Sequence, residues 1–168
     1  MSKRVQLTLF VDTNLSKEIE AIRQSYNPAQ YQLIKSHVTL CRENELTSLD
    51  MVIRNLEQLN YPIITIQFEP VKTFSNDEGV LLPASKNNHT FDELRKIVLL
   101  GTTNVNHEQE PHITLMHPRN SKCTEQIFNE IKKATLPKSI EFNTISLIEQ
   151  ENGGAWKVLK EYPLKKNI

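Results

Sequence analysis

The sequence predicts an α+β protein built from two similar lobes, each a β-sheet with outer helices, packed about a pseudo-twofold axis with a central groove. The predicted elements follow one order in both halves of the chain: strand, helix, strand, helix and strand. The spacing also repeats, since 32 residues separate Val5 from His37 and 32 separate Val80 from His112. Each histidine begins the same pattern of histidine, aliphatic residue, threonine and leucine, which indicates an internal duplication.

Length and composition set the scale of this fold. With 168 residues, 38% hydrophobic and 24% charged, the chain is long enough for one folding unit and too short for two catalytic domains. We expect residues 1–168 to form a single domain with lobes of about 1–70 and 79–168, whose chain termini can cross between the lobes. Twenty basic and twenty acidic residues argue against a protein that coats long nucleic acid, which requires a net positive field.

Strands are predicted where apolar and β-branched residues alternate or cluster. In the first strand, apolar residues from Val5 to Val11 alternate with Gln6, Thr8 and Phe10, which is typical of a half-buried strand. The predicted strands are 5–11, 37–40, 61–68, 80–82, 112–115, 139–149 and 155–162. The last two flank Asn152-Gly153-Gly154, a hairpin signal. Residues 69–79, which contain proline and glycine, are the predicted connector between the lobes.

Helices are predicted where apolar residues recur at spacings of three and four between capping and stop signals. The caps are Asp12 or Thr13, Thr47, Thr90 and Ser121. The first helix ends at Asn27-Pro28, the third at Gly101 and the fourth before Pro137. A loop through Gln30 is expected to lead from the first helix to the second strand.

Cysteine content and hydropathy bear on location. Cys41 and Cys123 are too few for a disulfide framework and lack a C-x-x-C spacing, so we expect free thiols in the cytoplasm. The N-terminal apolar stretch is too short and too polar for a signal peptide. No window approaches the roughly 18 consecutive apolar residues of a membrane span. We expect a monomer with no membrane association and no obligate protein partner.

The two histidine tetrapeptides are the candidate functional site. Side chains at i and i+2 of a strand share a face, so His37 lies beside Thr39 and His112 beside Thr114. The aliphatic residues between them can pack under the helices. If the lobes are related by a twofold axis, the two His-Thr faces meet across a cleft. One such tetrapeptide is typical of an ordinary strand, whereas two at matched positions favour a functional pair.

The chemistry that suits this cleft is acid/base catalysis on a phosphodiester. With an ordinary pKa of about 6.5, one imidazole can be neutral and accept a proton while the other is protonated and donates one. Two threonine hydroxyls can hold the non-bridging oxygens. Such a reaction needs no metal, and we expect no cofactor. His107, His112 and His117 recur every five residues, but this spacing and Pro111 and Pro118 disfavour a shared metal site.

The motifs H-V-T-L at 37–40 and H-I-T-L at 112–115 resemble those of the two-histidine (2H) phosphoesterase superfamily. This superfamily includes bacterial 2′-5′ RNA ligase-like proteins and cyclic nucleotide phosphodiesterases. The N-terminal strand, the strand near Val80 and a C-terminal E-N-G-G-A-W-K-V hairpin at 151–158 are also similar to those of small bacterial members. The resemblance therefore spans most of the chain.

The resemblance implies a bilobal 2H-phosphoesterase-like fold with His37, Thr39, His112 and Thr114 in a central groove. It also implies metal-independent hydrolysis of a 2′,3′-cyclic phosphate or related small phosphodiester of a nucleotide or RNA end, with a role in RNA processing. Alternatives are a non-catalytic module that binds nucleotides or RNA termini, an RNA 2′-5′ ligase, and a structural or protein-interaction domain. Either histidine can be the acid.

Three further residues are candidate substrate-binding groups. Arg42 and Arg119 follow the two motifs and are the basic residues best placed to reach a phosphate, although ordinary surface charge is the alternative. Phe74, in the connector, can stack on a base or close over a core edge. We expect His117 to point away from His112. Cys41 shares the parity of His37, but a buried inert thiol is the more frequent outcome.

Overall fold

The computed structural model describes residues 2–74, 78–102 and 109–166, which contain nine β-strands and five α-helices. The strands are β1 (Lys3–Phe10), β2 (His37–Cys41), β3 (Ile64–Gln67), β4 (Lys72–Thr73), β5 (Val80–Pro83), β6 (His112–Met116), β7 (Ser139–Phe142), β8 (Thr144–Glu151) and β9 (Lys157–Pro163). The helices are α1 (Lys17–Tyr26), α2 (Pro28–Leu33), α3 (Leu49–Glu57), α4 (His89–Val98) and α5 (Glu125–Lys132). None of these helices is long and apolar enough to cross a bilayer. The predicted α+β class is confirmed.

Seven of the described strands form one antiparallel sheet in the order β4-β5-β6-β2-β1-β8-β9. Strands β3 and β7 form a separate antiparallel pair. In the middle of the large sheet the two histidine strands, β6 and β2, lie side by side. Each pairs on its outer side with the first strand of its own half, β5 or β1, so these four strands are symmetric about the β6-β2 junction. Strand β8, from the second half of the sequence, pairs with β1, so the C-terminal strands extend the sheet beside the N-terminal strand.

The pairing of β1 with β2 repeats in the pairing of β5 with β6. Leu7 is opposite Cys41, Val80 is opposite Met116, and each pair is followed by a register shift that indicates a β-bulge. Leu7 is therefore equivalent to Val80, so the structurally matched spacings to the histidines are 30 and 32 residues, not 32 in both halves. We keep the division into two lobes as a proposal that this repeated register supports.

The apolar face of the sheet packs under the helices. Helix α1 packs against β6, and α4 packs against β2, so each helix covers the histidine strand of the other half of the chain. The strand residues on this face are at most 1% exposed: Leu7, Leu9, Val38, Leu40, Ile113 and Leu115. The opposite face of β2 and β6 is left to carry the polar side chains.

The loop predicted after Pro28 is wrong, because residues Pro28–Leu33 form helix α2. Pro28 lies at the first positions of α2, where a missing N–H leaves no hydrogen bond unmade. The same proline that ends α1 therefore begins the next helix. The predicted cap at Ser121 is also displaced, since the side chain of Thr124 accepts the hydrogen bond from the backbone N–H of Ile127 at 3.1 Å.

The single strand predicted over 139–149 is two strands that belong to different sheets. Residues Ser139–Phe142 pair with β3, and after Asn143 the chain enters β8, which pairs with β9 from Thr144 and with β1 from Ser146 onwards. An uninterrupted run of β-forming residues does not encode which strand will lie beside it. The hairpin predicted at 152–154 is confirmed, with positive φ angles of 51° at Asn152 and 74° at Gly153.

A buried ion pair ties α4 to the end of β2. Arg95 Nη2 lies 2.5 Å from Glu45 Oε2, and the side chains are 6% and 4% exposed. Arg95 also donates to the carbonyl oxygen of Leu40, and Glu45 Oε1 accepts the backbone N–H of Arg42 at 2.9 Å. Burial raises the pKa of Glu45, but the hydrogen bonds and charge of Arg95 outweigh it and hold that pKa below its ordinary value. The pair fixes the turn that follows the first motif.

We predict that Glu45→Ala lowers the free energy of unfolding by about 3–5 kcal/mol, because it removes the buried carboxylate that lies 2.5 Å from Nη2 of Arg95. The control is Glu130→Ala, which removes the exposed pair with Lys133 and is expected to cost about 0.5 kcal/mol or less. Urea unfolding at neutral pH measures both. Because folding lowers the pKa of Glu45, its contribution is present above the unfolded pKa and is lost as the pH falls. Equal stabilities of the two variants would contradict the prediction.

Candidate functional site

The two His-Thr pairs lie side by side on neighbouring strands. Val38 of β2 is opposite Ile113 of β6 in an antiparallel register. This register places His37 opposite Thr114 and Thr39 opposite His112. In both strands the polar residues are half-buried while the aliphatic ones between them are buried. A local twofold axis therefore passes between Val38 and Ile113, and it relates the two pairs.

The four side chains line one pocket of about 500 Å³. His37 and His112 are diagonal neighbours across the strand pair, for which the separation is about 7–8 Å. A tetrahedral group between the two imidazoles can therefore contact both. Arg42, Arg119 and Phe74 line the same pocket, so the fold brings together all seven residues that the sequence singled out.

Each imidazole is fixed by the backbone of its own strand. Nδ1 of His37 lies 2.8 Å from the carbonyl oxygen of Lys35, and Nδ1 of His112 lies 2.9 Å from that of Glu110. A carbonyl oxygen can only accept, so Nδ1 carries the hydrogen in both rings. Nε2 is then the nitrogen that exchanges a proton, and the two rings have the same tautomer.

The pocket holds both imidazoles in the neutral form. Burial is the largest cause and lowers the pKa of His37 from 6.5 to about 4, with smaller contributions from the charges of Arg23 and His112, against the opposing hydrogen bond to Lys35. Burial also lowers the pKa of His112, assisted by the charge of Arg42. The Glu110 backbone and carboxylate act in the opposite direction at His112. An anion bound between the rings would oppose these effects and favour protonation.

An aromatic ring lies edge-on to each histidine. The rings of Phe10 and His37 have centroids 6.1 Å apart, and those of Phe74 and His112 are 6.0 Å apart. Phe74 reaches this position because residue 79 is glycine. A Cβ there would lie 2.6 Å from the carbonyl oxygen of Met116 and 2.7 Å from the Phe74 ring. These contacts restrict the rotation of both imidazoles.

Thr39 is held by two glutamine side chains that sequence reasoning missed. Gln6 Nε2 donates to Thr39 Oγ1 at 3.0 Å, and Gln109 Nε2 donates to the carbonyl oxygen of Thr39 at 2.8 Å. Because Oγ1 accepts from Gln6, the hydroxyl hydrogen is left to donate into the pocket. Gln6 comes from β1 and Gln109 precedes β6, so only the assembled sheet brings them to Thr39.

Four arginines line the pocket, although the whole chain has no net charge. Two are tied to carboxylates: Arg4 Nε bonds Glu43 at 2.8 Å, and the buried Arg23 bonds Glu20 at 2.5 Å. Arg42 and Arg119 are exposed at the rim, one after each histidine strand. The pocket is therefore locally basic and suited to a phosphate.

His117 also lines the pocket, so the expectation that it points away from His112 is wrong. It follows the end of β6, where strand alternation no longer fixes direction. Its Nδ1 accepts the backbone N–H of Arg119 at 3.0 Å, so in the neutral ring Nε2 carries the hydrogen. Burial lowers its pKa, as do the charges of Arg119 and His112. The sequence does contain a signal for the position of His117, because Arg42 and His117 each follow a motif histidine by five residues.

Cys41 and Trp156 differ in how they relate to the pocket. Cys41 is fully buried at the end of β2, and burial raises the pKa of its thiol to about 12, so it is the inert thiol expected. Trp156 is half-buried at the pocket wall rather than in the core.

Within residues 2–74, 78–102 and 109–166, no group of three or more His, Cys, Asp or Glu side chains is placed to hold a metal ion. His107 lies outside these ranges.

Comparisons with known proteins identify the family model and the fold that this chain matches. The model of the 2′-5′ RNA ligase superfamily matches residues 11–154. Three similar solved structures are E. coli LigT complexed with phosphate (15% identity, 98% of both chains, TM-score 0.64), E. coli LigT complexed with 3′-AMP (15%, 98% of this chain and 99% of that one, 0.65) and a phosphoesterase (15%, 99% and 100%, 0.65). At this identity they show the fold, which confirms the predicted fold class. No curated protein sequence matches the chain.

The hydrogen bonds predict opposite tautomers for the pocket histidines. Above pH 7 we expect His37 and His112 to carry hydrogen on Nδ1 and His117 to carry it on Nε2. Two-bond ¹H–¹⁵N correlation spectra, assigned with His→Gln variants, distinguish the two forms. In a pH titration His37 should gain its proton near pH 4, well below the ordinary value of 6.5. An Nε2–H tautomer for either motif histidine would contradict the prediction.

Proposed function

Because the chain belongs to the 2′-5′ RNA ligase superfamily of 2H phosphoesterases, we propose that it is a metal-independent phosphodiesterase acting by two-histidine acid/base catalysis. Its substrate is a 2′,3′-cyclic phosphate or related small phosphodiester of a nucleotide or RNA end. One observation carries the proposal: two imidazoles in the same tautomer present Nε2 to one basic pocket from opposite sides of a local twofold axis.

The reaction needs two proton transfers, and the two imidazoles can supply both. The neutral histidine takes a proton from water, whose oxygen forms a bond to phosphorus as the bond to the 2′- or 3′-oxygen breaks. The protonated histidine gives its proton to that leaving oxygen, and the product is a phosphate monoester. Water must lie on the side of phosphorus opposite the leaving oxygen. The diagonal placement of His37 and His112 across the strand pair suits this in-line arrangement.

The remaining residues stabilise charge. The hydroxyls of Thr39 and Thr114 can donate to the non-bridging oxygens, and Arg42 and Arg119 can reach the phosphate from the rim. Phe74 offers an aromatic edge beside His112 for the sugar or base. Gln6 acts as a positioning residue, since it fixes the hydroxyl of Thr39. His117 adds a hydrogen-bond donor, because its Nε2 carries a hydrogen in the neutral ring.

Binding seen in structural relatives is consistent with this substrate class. E. coli LigT has been crystallised with phosphate, ATP and 3′-AMP, and the last of these is the type of product that opening of a 2′,3′-cyclic phosphate leaves. The proposal includes a monomeric protein and a location in the cytoplasm, and the two free cysteines support the location. A module that binds the same ends without turnover is the alternative that the first experiment below separates.

We predict that His37→Ala and His112→Ala each reduce kcat/KM by 10²-fold or more, because each removes one proton-transfer group. The assay uses 2′,3′-cyclic nucleotides and an RNA that ends in a cyclic phosphate, all in EDTA. His89→Ala is the matched control, since His89 is exposed on α4 and is expected to retain full activity. Full activity in either motif variant would overturn the mechanism. Binding without turnover in the unaltered protein would favour the binding module.

We predict a bell-shaped pH profile for kcat/KM in which His112 governs one limb. Glu110→Gln keeps the backbone carbonyl that bonds Nδ1 but removes the carboxylate that raises the pKa of His112. The limb governed by His112 should therefore move to lower pH while the other stays. A shift of the acidic limb identifies His112 as the base, and a shift of the basic limb identifies it as the acid. Glu141→Gln on β7 is the control. A profile in which neither limb moves would contradict the prediction.

A further inference from the structure

Two grooves adjoin the central pocket, one on the side of each histidine strand. The first, which we name the aromatic arm, has a volume of about 600 Å³ and is lined by Phe10, Tyr31, Lys35, Ser146 and Trp156 among others. It shares the lining residues Ile34 and Trp156 with the central pocket, so the two spaces adjoin. The central pocket already has the size of a small-ligand site, which leaves the arm for a second group.

The second groove, which we name the polar arm, lies on the other side of the local twofold axis. It has a volume of about 660 Å³ and shares Gln109 and His112 with the central pocket. Phe10 is the register partner of His37, and Pro83 is the register partner of His112, so the two arms leave the pocket from equivalent positions. A chain-like substrate held at the pocket can therefore extend along either arm.

The two arms differ in the chemistry of their walls. Three aromatic side chains line the aromatic arm: Phe10, Tyr31 and Trp156. Within the described residues, the polar arm has no Phe, Tyr or Trp in its lining and carries Lys72 and Lys86 beside three carboxylates. Flat aromatic surfaces bind nucleobases by stacking, whatever the base. The hydroxyls of Thr144 and Ser146 add groups that can bond a base edge.

Two contacts position Trp156 at the entrance to the aromatic arm. Its backbone N–H donates to the carbonyl oxygen of Leu33 at 2.8 Å, which ties the β8-β9 turn to the end of α2. The Arg4 guanidinium lies 5.5 Å from the ring centroid and is itself bonded to Glu43 and Gln150. An aromatic side chain fixed before binding loses little conformational entropy when a base stacks on it.

We propose that the aromatic arm is a second nucleobase site, which binds the base of the nucleotide next to the one that carries the reacting phosphate. This inference rests on the proposed function and narrows it. The preferred substrate is then an oligonucleotide end, such as an RNA with a terminal 2′,3′-cyclic phosphate, rather than a mononucleotide. Trp156 and Tyr31 supply the stacking surfaces.

The kinetic test compares adenosine 2′,3′-cyclic phosphate with the dinucleotide ApA ending in a 2′,3′-cyclic phosphate. Loss of one base stack is expected to lower kcat/KM by about 5- to 150-fold. We expect kcat/KM for the dinucleotide to be higher by a factor in this range, and Tyr31→Ala to remove the advantage while leaving the mononucleotide unchanged. Tyr31 lines the aromatic arm and not the central pocket. Lys86→Ala, in the polar arm, is the matched control and should preserve the preference.

A dinucleotide with an abasic first residue gives the same comparison without altering the protein. It should react no better than the mononucleotide, so the test stands even if Tyr31→Ala fails to fold. Equal kcat/KM for the two cyclic phosphates, with no effect of Tyr31→Ala or of the missing base, would overturn the second base site and leave the proposed function intact.

A binding measurement separates failure of the second site from failure of catalysis. Trp156 is the only tryptophan in the chain, so its fluorescence reports on the arm directly. The probes are 3′-AMP and ApA with a terminal 3′-phosphate, which are unreactive. We expect the dinucleotide to quench Trp156 with a Kd at least about fivefold lower, and Tyr31→Ala to abolish the difference. This result without turnover would keep the second site and overturn the phosphodiesterase, whereas equal Kd values would overturn the second site.

Discussion

The pairing of β2 with β6 is the constraint on which the pocket depends. Val38 and Ile113 meet in an antiparallel register and are completely buried under α1 and α4. A slip of one residue in either strand would exchange the aliphatic and polar faces, so burial of the aliphatic residues enforces the position of the histidines and threonines. The same apolar contacts that hold the two halves together therefore bring the two His-Thr pairs into one pocket.

Polar clamps fix the chain where each histidine strand ends. After β2, the buried Arg95-Glu45 pair holds the Leu40 carbonyl and the Arg42 N–H. After β6, Asn27 Oδ1 accepts the N–H of His117 at 2.7 Å. Arg95 in the first clamp and Asn27 in the second come from a helix or helix end of the other half of the chain. They direct Arg42 and His117, which occupy equivalent positions after the two motifs, towards the pocket, although their chemistry differs.

The pocket combines a low local dielectric with several positive charges, and this combination governs its acid/base behaviour. Burial and the neighbouring arginines keep His37 and His112 neutral, while the Lys35 and Glu110 carbonyls select which nitrogen faces the pocket. A phosphate bound between the rings opposes both effects, because it adds negative charge and hydrogen-bond acceptors. Protonation of one imidazole is in this way coupled to the arrival of an anionic substrate.

The sequence by itself determined the α+β class, the repeated order of elements and the two His-Thr pairs, because strand periodicity and a duplicated tetrapeptide are local properties. It also indicated Arg42 and Arg119, which follow the two motifs closely in the chain, and Phe74 in the connector. It did not reveal Gln6, Gln109, Trp156 or the direction of His117, since these depend on which strands become neighbours and on hydrogen bonds between distant segments. Only the tertiary structure decided the shared pocket, its low histidine pKa values and the two grooves, because burial and strand pairing act between residues far apart in sequence.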